Sequence, residues 1–432
     1  MTRSGFGKLV MFGLAVLFSM GAAKVASAQI ILNIPVIILY PPPHFAPFIT
    51  GITAGFEHTC ARKSDGSVYC WGVNSSGQIG VTSTANCIQA PNYNSPIPCV
   101  DKPQLVIAAG MSQVAAGDMH TCALTTSGGV QCWGDGSYGE VGDYYNHPAP
   151  YTVTTNAVFS SIAAGGSTSC GISNSEALCW GEAPTGVFLG VPKVPNVVNT
   201  IWPIAQSVAV GKQFACVLLG SSPLIDVCLG NNASDQLGVD ATVNGTSVNH
   251  IVPSSMNPQT NGNVRIAAGR DFHCVEHTDG TVQCVGDNVA GELGLGFTSF
   301  REFSTLPVGG TQPMQLHGVA AGWAHACALD AGGHAFCWGN GDAGQLGNGK
   351  SGSGYYATTP QQVVGTNGVA PTFRALAAGS EHTCGIGTDN YIYCWGDNTF
   401  GQIGAGLNNI GSAGLFGGYA TFTANAVRTA GF

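Results

Sequence analysis

Few residues of this 432-residue chain carry a charge. Asp, Glu, Lys and Arg together make up 9% of the sequence, against about 25% in a typical soluble protein. Beyond the N-terminus, the sequence also lacks the run of about 20 apolar residues that a membrane-spanning helix needs. Its 63 glycines have no three-residue period of the kind that collagen requires. With 22 prolines as well, the class that remains is an all-β protein rich in tight turns.

The first 28 residues have the pattern of an export signal. Arg3 and Lys8 give a positive start, an apolar stretch follows, and Ala26-Ser27-Ala28 forms a small-residue cleavage site. We expect cleavage after Ala28, so that the mature protein acts in the periplasm, at the cell surface or outside the cell.

Removal of residues 1–28 leaves a chain with more acidic than basic residues. Three of the 14 Lys and Arg residues lie in that segment, so 11 remain against 23 Asp and Glu residues, a net charge of about −12. Phosphate binding needs clustered Lys and Arg, so we expect no nucleic-acid partner. The mature chain divides into an apolar, proline-rich segment at 29–47 and a folded domain at 48–432.

Sixteen cysteines, an even number, fit an oxidising compartment in which they pair. In residues 120–134, HTCALTTSGGVQCWG, two cysteines lie opposite each other on a predicted hairpin, within reach of a disulfide. Two thiols per repeat cannot complete a tetrahedral metal site, and no C-x-x-C spacing is present, so no metal or cofactor is expected. The predicted disulfides are Cys60–Cys70, Cys87–Cys99, Cys122–Cys132, Cys170–Cys179, Cys216–Cys228, Cys274–Cys284, Cys327–Cys337 and Cys384–Cys394.

Seven of these cysteine pairs belong to a longer repeat, whose first cysteines recur every 46 to 62 residues. An apolar run that ends in glycine precedes the first cysteine, as in VAAG at 114–117. A turn-forming stretch such as WGDNTFGQIG at 395–404 follows the second. Periods of this length indicate solenoids or propellers. The turns lack the carboxylates that a calcium site needs.

The repeat A-A-G-x-x-H-T-C-A-L, followed by G-x-V-x-C-W-G-x-N and G-Q-L-G, resembles the repeat of the regulator of chromosome condensation (RCC1) family. Its paired cysteines resemble the variant found in exported bacterial proteins. The resemblance implies a seven-bladed β-propeller, in which stacked blades bury faces that a single blade leaves exposed. We expect the C-terminal strand 419–427 to pair with the first blade and close the ring. The repeats span about 48–104, 105–157, 158–205, 206–263, 264–315, 316–371 and 372–432.

Two positions of the repeat carry the same bulky residue in most copies but not in all. One position carries His in copies one, two, six and seven but Thr or Phe in the others, so we interpret it as a buried histidine bonded to the backbone, and not as a ring of metal ligands. The position after the second cysteine alternates between Trp and Leu or Val, which indicates blade packing. The residues are His58, His120, Thr168, Phe214, Phe272, His325 and His382, and Trp71, Trp133, Trp180, Leu229, Val285, Trp338 and Trp395.

Catalytic motifs are scarce as well. The sequence has no repeated carboxylate pair suited to glycoside hydrolysis, no sialidase Asp-box and no G-x-S-x-G elbow. One irregular group of titratable residues lies in copy five: Asp271, His273, Glu276, His277 and Asp279. On a strand Asp271 and His273 share a face, as do His277 and Asp279, which makes an acid–base or metal site a hypothesis. We favour a solvated strand and turn, and predict no catalytic residue.

The largest departures from the repeat are loops that contain tyrosine. An insertion at 81–104 carries Tyr93, and DYYNHPAPY at 143–151 and GYYATT at 354–359 carry others. Tyrosine gives a large contact area at low entropic cost, which suits protein recognition; the alternative is that these rings only cover blade edges. The candidate partner-binding residues are Tyr93, Tyr144, Tyr145, Tyr151, Tyr355 and Tyr356.

The sequence therefore predicts an exported, monomeric, non-enzymatic propeller that binds a protein or a surface glycan through its face loops. Three alternatives stay open. One is an enzyme inhibitor, because a secreted β-lactamase inhibitor protein is similar in fold. The others are a carbohydrate- or cell-surface-binding protein, and a hydrolase or lyase that uses the copy-five group. Nucleotide exchange on the Ran GTPase, the namesake's activity, is not expected, because its determinants are not identifiable in the sequence and an export signal separates the chain from that partner.

Overall fold

The computed structural model describes residues 46–82, 85–87, 97–182, 196–197, 204–220, 224–239, 247–253, 262–302, 306–406 and 422–429. Within these ranges the chain forms seven antiparallel sheets and no helix. The predicted export signal and Tyr93 lie outside the described residues.

The first four blades have the following strands. Blade 1 contains β1 (Ile49–Ala54), β2 (His58–Lys63), β3 (Val68–Val73), β4 (Ala85–Cys87) and β5 (Ile97–Ile107). Blade 2 contains β6 (Met111–Ala116), β7 (His120–Thr125), β8 (Val130–Gly134) and β9 (His147–Thr152). Blade 3 contains β10 (Phe159–Gly165), β11 (Thr168–Ser173), β12 (Glu176–Gly181) and β13 (Asn196–Val197). Blade 4 contains β14 (Ala205–Val210), β15 (Phe214–Leu219), β16 (Ile225–Asn231) and β17 (Ser247–Pro253).

The last three blades follow the same plan. Blade 5 contains β18 (Asn263–Ala268), β19 (Phe272–His277), β20 (Val282–Asn288) and β21 (Ser299–Glu302). Blade 6 contains β22 (His317–Ala321), β23 (His325–Leu329), β24 (Ala335–Asn340) and β25 (Tyr356–Gln362). Blade 7 contains β26 (Phe373–Ala378), β27 (His382–Gly387), β28 (Ile392–Asp397) and β29 (Phe422–Arg428).

The seven sheets form a closed ring. Strands follow chain order across each sheet, except that β4 in blade 1 pairs outside β5 as a fifth strand. The first strand of every blade lies against the first strand of the next, and β26 of blade 7 lies against β1. The first strands thus surround the axis, and the predicted all-β, seven-bladed propeller is confirmed.

The prediction for the closing strand is wrong. The tail does not join blade 1: β29 pairs with β28, Cys394 lying opposite Val427, and so completes blade 7. The reason is the insertion in blade 1, which supplies that blade with its own outer strand β5, paired to β3. Blade 1 therefore has no vacant place, whereas blade 7 would have only three strands without the tail.

All eight predicted cysteine pairs have their sulfur atoms at bonding distance. In the seven repeated pairs the cysteines are directly opposed on the second and third strands, with Cα atoms 4.0 to 4.1 Å apart. The eighth, Cys87–Cys99, joins β4 to β5 with a Cα separation of 5.6 Å. It packs with Val73 and with Phe400 of blade 7, so the base of the insertion is part of the core.

The glycines that end the apolar runs allow the inner strands to meet. A Cβ atom added to Gly55 would lie 2.3 Å from the carbonyl oxygen of Gly117 in the next blade, and one added to Gly322 would lie 2.3 Å from that of Gly379. Side chains cannot approach a backbone oxygen so closely, so glycine is required here by the contact between blades. The corresponding residues are Gly55, Gly117, Gly165, Gly211, Gly269, Gly322 and Gly379.

Histidines link neighbouring blades through a hydroxyl group. His58 Nε2 lies 2.8 Å from Thr121 Oγ1 of blade 2, and this hydroxyl lies 2.9 Å from the carbonyl oxygen of Gln78. Because a carbonyl oxygen only accepts, the hydroxyl proton goes to Gln78 and Nε2 must donate its own proton to the hydroxyl. The other ring nitrogen, Nδ1, is buried without a hydrogen-bond partner among the described residues, and burial lowers the pKa of His58 to about 3, so the ring is neutral with its proton on Nε2.

The same arrangement recurs wherever a blade carries this histidine. The hydrogen-bonded pairs, at 2.8 to 2.9 Å, are His58–Thr121, His120–Ser169, His325–Thr383 and His382–Thr59. Where the histidine is replaced, the next blade has no Thr or Ser at that position; these pairs are Thr168–Ala215, Phe214–His273 and Phe272–Ala326. The packing interpretation of the histidines is confirmed, but their partner is a hydroxyl of the next blade and not the backbone.

Three of the five recurring tryptophans use the same carbonyl groups as the hydroxyls. Trp133 Nε1 donates to Gln78 at 2.9 Å, so this carbonyl accepts from both the indole and the Thr121 hydroxyl of blade 2. Trp71 and Trp395 repeat this bond to Gln402 and Gln345 at 2.8 Å. All five tryptophans at this position are at most 1% exposed, as the packing interpretation predicted. We call the histidine, hydroxyl, turn carbonyl and tryptophan the blade clamp.

Substitution of Gly55 by Ala should destabilise the ring. The added Cβ meets the Gly117 carbonyl at 2.3 Å, and we expect a loss of about 1–3 kcal/mol in the free energy of unfolding. Gly51→Ala in the same strand is the matched control, because its added Cβ would lie 3.8 Å from its nearest neighbour. Denaturant titration with the disulfides intact measures both; equal stability of the two variants would contradict the role assigned to the ring glycines.

Substitution of Thr383 by Val should leave the His325 imidazole N–H buried and unpaired. The expected loss is about 1–3 kcal/mol in the free energy of unfolding. The double variant His325→Phe/Thr383→Ala reproduces the Phe272–Ala326 pair of the preceding blades, and should be more stable than Thr383→Val. A double-mutant cycle over His325 and Thr383 measures this coupling; strictly additive losses would show that the two side chains do not act as a pair.

Candidate functional site

One face of the ring carries most of the irregular loops. In every blade the third strand carries Trp-Gly or an equivalent pair. The residue after this pair donates its backbone amide to a carbonyl in the turn between the first and second strands. The seven donors are Val73, Asp135, Glu182, Asn231, Asp287, Asn340 and Asp397, and their acceptors are Glu57, Met119, Ser167, Gln213, Asp271, Ala324 and Glu381. Both sets of loops therefore lie on the same face, which we call the loop face. The insertion and the predicted tyrosine loops all belong to it.

The tyrosine loop of blade 2 is held in place by a histidine. His147 Nε2 lies 2.9 and 3.0 Å from the two carboxylate oxygens of Asp143, and its ring stacks on Tyr151 at 4.0 Å and 10°. Between these anchors, Tyr144 and Tyr145 are 47% and 73% exposed. Tyr151 therefore supports the loop, whereas the rings of Tyr144 and Tyr145 are exposed to solvent.

The tyrosines of blade 6 have different roles. The Tyr355 hydroxyl accepts a hydrogen bond from Asn348 Nδ2 at 2.7 Å, and the ring packs at Gly341, so this residue covers its blade edge. Tyr356 is 48% exposed. Tyr138, which was not predicted because it lies inside the repeated turn of blade 2, is 45% exposed and adds a third tyrosine to that blade's loop face.

A groove brings together two of the predicted loops. It has a volume of about 440 Å³ and lies between blades 1 and 2, where the insertion contributes Val81 and Pro98 and the tyrosine loop contributes Asn146 and Pro148. Asn74 completes the wall from the repeated turn of blade 1. Its own side chain is fixed by bonds to the Val81 carbonyl and the Ile79 amide, at 2.8 and 3.0 Å.

A second cluster lies at the mouth of the central channel. The residue after each ring glycine lines this mouth, and no two copies carry the same residue there; these are Phe56, Asp118, Gly166, Lys212, Arg270, Trp323 and Ser380. The ring centroids of Phe56 and Trp323 lie 4.5 Å apart, and Arg270 lies over Trp323 at 4.3 Å. Sequence reasoning missed this cluster, although full variation at one position of an otherwise regular repeat is a readable signal.

Carboxyl groups near the channel are shifted toward their neutral form. Burial raises the pKa of Glu57 to about 7, and the charges of Asp397 and Glu381 in blade 7 add to the effect. Burial also raises the pKa of Asp118, while the charges of Lys212 and Arg270 oppose that shift. The loop face thus combines exposed aromatic rings with crowded, partly protonated carboxyl groups.

The five residues of the copy-five group each have a different partner. Asp271 lies 3.1 Å from Arg270, and Glu276 lies 3.5 Å from Arg265 and accepts from the Gly318 amide. His277 contacts Gln283 at 3.1 Å. Burial acts to raise the pKa of Asp279, but the hydrogen bonds that it accepts from Thr281 in the turn outweigh that effect and lower the pKa.

His273 is fully buried between blades 4 and 5 and contacts the Gln236 carbonyl. The copy-five group therefore does not assemble into one acid–base site. In the described part of the chain, the donor atoms of His273, Cys216 and Cys228 lie within 4.8 Å of one another, with the two cysteines joined in a disulfide.

Two glutamates occupy the glutamine position of the repeated G-Q-x-G turn. Burial raises the pKa of Glu140 and of Glu292 from 4.5 to about 7. Each carboxylate accepts a backbone amide at 2.8 Å, as the amide oxygen of Gln78 does in blade 1 at 2.9 Å. Glutamine thus fits the same place without a charge.

The double variant Glu140→Gln/Glu292→Gln should remove a pH dependence of stability. With a raised pKa, the folded state binds more protons than the unfolded state, so stability is lost as the pH rises from about 4.5 through 7. We expect the variant to match the wild type near pH 4.5 and to exceed it at pH 8 by about 1–3 kcal/mol per glutamate. Urea titrations at the two pH values measure this; an unchanged pH slope would contradict the shifted pKa values.

Comparison with known families matches the repeat to the regulator of chromosome condensation (RCC1) repeat. One form of the family model matches residues 49–78, 111–140, 317–345 and 373–402, and another matches residues 65–124 and 332–386. The first form falls on the copies that carry the histidine of the blade clamp. Copies three to five, in which that histidine is replaced, lie outside the matched ranges.

Similar proteins share this repeat. The ultraviolet-B receptor UVR8 of Arabidopsis thaliana is 26% identical over 317 residues, covering 70% of this chain and 68% of that protein. The E3 ubiquitin-protein ligase HERC2 of Mus musculus is 27% identical over 304 residues, covering 64% of this chain but 6% of that protein.

Solved structures with this fold include Prp20p from Saccharomyces cerevisiae and human WBSCR16. Prp20p has a TM-score of 0.65 at 20% identity, covering 89% of this chain and 88% of its own. WBSCR16 has a TM-score of 0.62 at 20% identity, covering 79% of this chain and 87% of its own. The seven-bladed ring, the repeated sequence and these matches together show that the chain belongs to the family of RCC1-repeat β-propellers.

Proposed function

We propose that this chain is an exported, non-enzymatic propeller that binds a protein partner on its loop face. The observation that carries the proposal is the groove between blades 1 and 2. It joins the insertion to the blade 2 tyrosine loop, the two largest departures from the repeat that sequence analysis singled out. In propellers a rigid scaffold positions variable loops, and binding residues concentrate on such loops.

The chemistry of this region suits protein recognition. Tyr138, Tyr144 and Tyr145 of blade 2 are all substantially exposed. The loop of Tyr144 and Tyr145 is fixed by His147. Rigid, exposed tyrosines lose little entropy on binding, which is why recognition surfaces are enriched in them. A partner that seats against blade 2 would also reach the groove walls at Asn146 and Pro148.

A non-enzymatic role is supported by the family and by the copy-five geometry. RCC1-like propellers are typically protein-interaction scaffolds, and UVR8 and Prp20p are of the non-catalytic or regulatory kind. In this chain, the titratable residues of copy five are separately engaged, with His273 buried between blades.

Export is supported by the cysteines. Eight disulfides fit an oxidising, extracellular-type compartment. No helix in the described ranges has the length and apolar character that a bilayer crossing requires. The N-terminal pattern of residues 1–28 supports the same proposal.

Site-specific photo-crosslinking tests which face binds. The photoreactive residue p-benzoylphenylalanine is placed at Tyr145 on the loop face or at Ser127, an exposed turn residue on the opposite face of the same blade. Each purified variant is exposed to the medium and cell surface of the producing organism and irradiated. We expect a defined protein adduct from position 145 and none from position 127.

A second variant separates the partner from the label. Tyr144→Ala/Tyr145→Ala should reduce recovery of the crosslinked protein at least tenfold when the label is placed at Tyr138. Equal adducts from positions 145 and 127, or adducts that consist of glycan, would overturn the assignment of the loop face to a protein partner.

A further inference from the structure

Two buried residues at the boundary of blades 4 and 5 depart from the repeat. Two positions before the second cysteine, blade 4 carries Asp226, which is 2% exposed. The other copies carry buried Val, Ala or Ile at this position; these are Val68, Val130, Ala177, Val282, Ala335 and Ile392. A carboxylate in this otherwise apolar place needs a compensating charge or hydrogen bonds.

The second departure is His273, directly before the first cysteine of blade 5. It is fully buried, at a position where the other copies carry Thr59, Thr121, Ser169, Ala215, Ala326 and Thr383. The histidine replaces the hydroxyl of the blade clamp and takes over its bond to the turn carbonyl, with Nδ1 2.8 Å from Gln236 O. Because a carbonyl only accepts, Nδ1 carries the proton.

His273 contacts both the Cys216–Cys228 pair and Asp226. His273 Nε2 lies 3.8 Å from Cys228 Sγ and 3.6 Å from Asp226 Oδ2. In a tetrahedral zinc site with metal–ligand distances of about 2.0–2.3 Å, neighbouring ligand atoms are about 3.3–3.8 Å apart. The two measured distances therefore match edges of such a tetrahedron, and the donor atoms of His273, Cys216 and Cys228 lie within 4.8 Å of one another. The edge between the two sulfur atoms can form only when their disulfide is reduced.

The donors also have the outer hydrogen bonds that metal ligands need. With Nδ1 bonded to Gln236, Nε2 of His273 faces Cys228 and Asp226, and in the neutral ring this nitrogen carries the lone pair that a metal ion would bind. Asp226 Oδ1 accepts from Asn263 Nδ2 at 2.9 Å, whereas the buried Oδ2 has no hydrogen-bond partner among the described residues. Outer bonds of this kind fix the tautomer and orientation of ligands around a metal.

We propose that Cys216, Cys228, His273 and Asp226 form a redox-controlled Zn²⁺ site. Reduction of the Cys216–Cys228 disulfide by a thiol or phosphine takes two electrons and two protons and gives two thiols. Both protons leave as the thiolates bind Zn²⁺, with the imidazole and the carboxylate as third and fourth ligands. Exchange of the two thiolates with a small-molecule disulfide such as oxidised glutathione re-forms Cys216–Cys228, transfers the two electrons to that disulfide, which leaves as two thiols, and releases the metal. Two S, one N and one O ligand in a tetrahedron suit Zn²⁺.

The site is specific to this pair of blades. Two thiols per repeat do not complete a tetrahedron; here the missing donors are the buried Asp226 of blade 4 and His273 of blade 5. In the other six repeated pairs the residues at these two positions are apolar or hydroxyl-bearing, so they offer no comparable ligand set.

Cysteine protection by metal tests the proposal on the full-length protein. The protein is reduced with a phosphine under native conditions, incubated with or without Zn²⁺, treated with iodoacetamide and mapped by mass spectrometry. We expect Zn²⁺ to slow alkylation of Cys216 and Cys228 at least tenfold and to leave Cys274 and Cys284 unaffected. The matched variant Asp226→Val/His273→Thr, which restores the residues of other copies, should lose this protection. Equal alkylation of both pairs with Zn²⁺ would overturn the proposal.

A refolding measurement keeps the test decisive if reduction of all eight disulfides unfolds the chain. The denatured, reduced protein is refolded in a glutathione redox buffer with or without Zn²⁺, and its disulfides are mapped. With Zn²⁺ we expect Cys216 and Cys228 to remain thiols while the other seven pairs form, and the Asp226→Val/His273→Thr variant to form all eight. Formation of Cys216–Cys228 to the same extent with and without Zn²⁺ would contradict the site.

Discussion

The ring is held closed by the contact between adjacent blades, and the blade clamp supplies the polar part of that contact. A turn carbonyl of one blade accepts from the tryptophan and the hydroxyl of the next, and the hydroxyl accepts from the histidine of the first. The last blade uses the same device on the first, since His382 bonds to Thr59 at 2.9 Å and Trp71 bonds to Gln402 at 2.8 Å. Closure therefore needs no strand exchanged between the ends of the chain. The ring glycines let the inner strands come close enough for these bonds to form.

This constraint explains where the sequence is free to vary. The ring glycine is present in all seven copies, and the clamp histidine and its hydroxyl partner occur together at four of the seven blade boundaries. The residue directly after each ring glycine, by contrast, differs in all seven copies and lines the channel mouth. The connections to the outer strands vary as well, and they lie on the same face. A rigid ring with one variable face is the arrangement expected of a binding scaffold. The insertion of blade 1 adds to that face while its base stays in the core through Cys87 and Cys99.

Much of the fold could be predicted from the sequence because it follows from local patterns. Alternating apolar residues, the Gly-containing turns and the cysteine spacing define the hairpins, and their repetition defines the ring. The partner of each histidine was misjudged because it lies one copy ahead; the signal is that His in one copy accompanies Thr or Ser in the next. The tail was misplaced because the fourth strand of blade 1 is hidden in an irregular insertion, so that blade seemed to lack an outer strand. The hydrogen bond of Tyr355 to Asn348 could not be predicted, since no local sequence pattern distinguishes a hydrogen-bonded tyrosine from an exposed one.

The most direct test of this account concerns the protonation of the clamp histidines. Burial lowers the pKa of His58 and His325 to about 3 and of His120 and His382 to about 4, and the hydroxyl geometry requires the proton on Nε2. Long-range ¹⁵N–¹H correlation spectra of the histidine-labelled protein report the tautomer of each ring directly. At pH 6 the account predicts four neutral rings with a protonated Nε2 and an unprotonated Nδ1. Imidazolium rings, or protons on Nδ1, at these four positions would contradict the clamp.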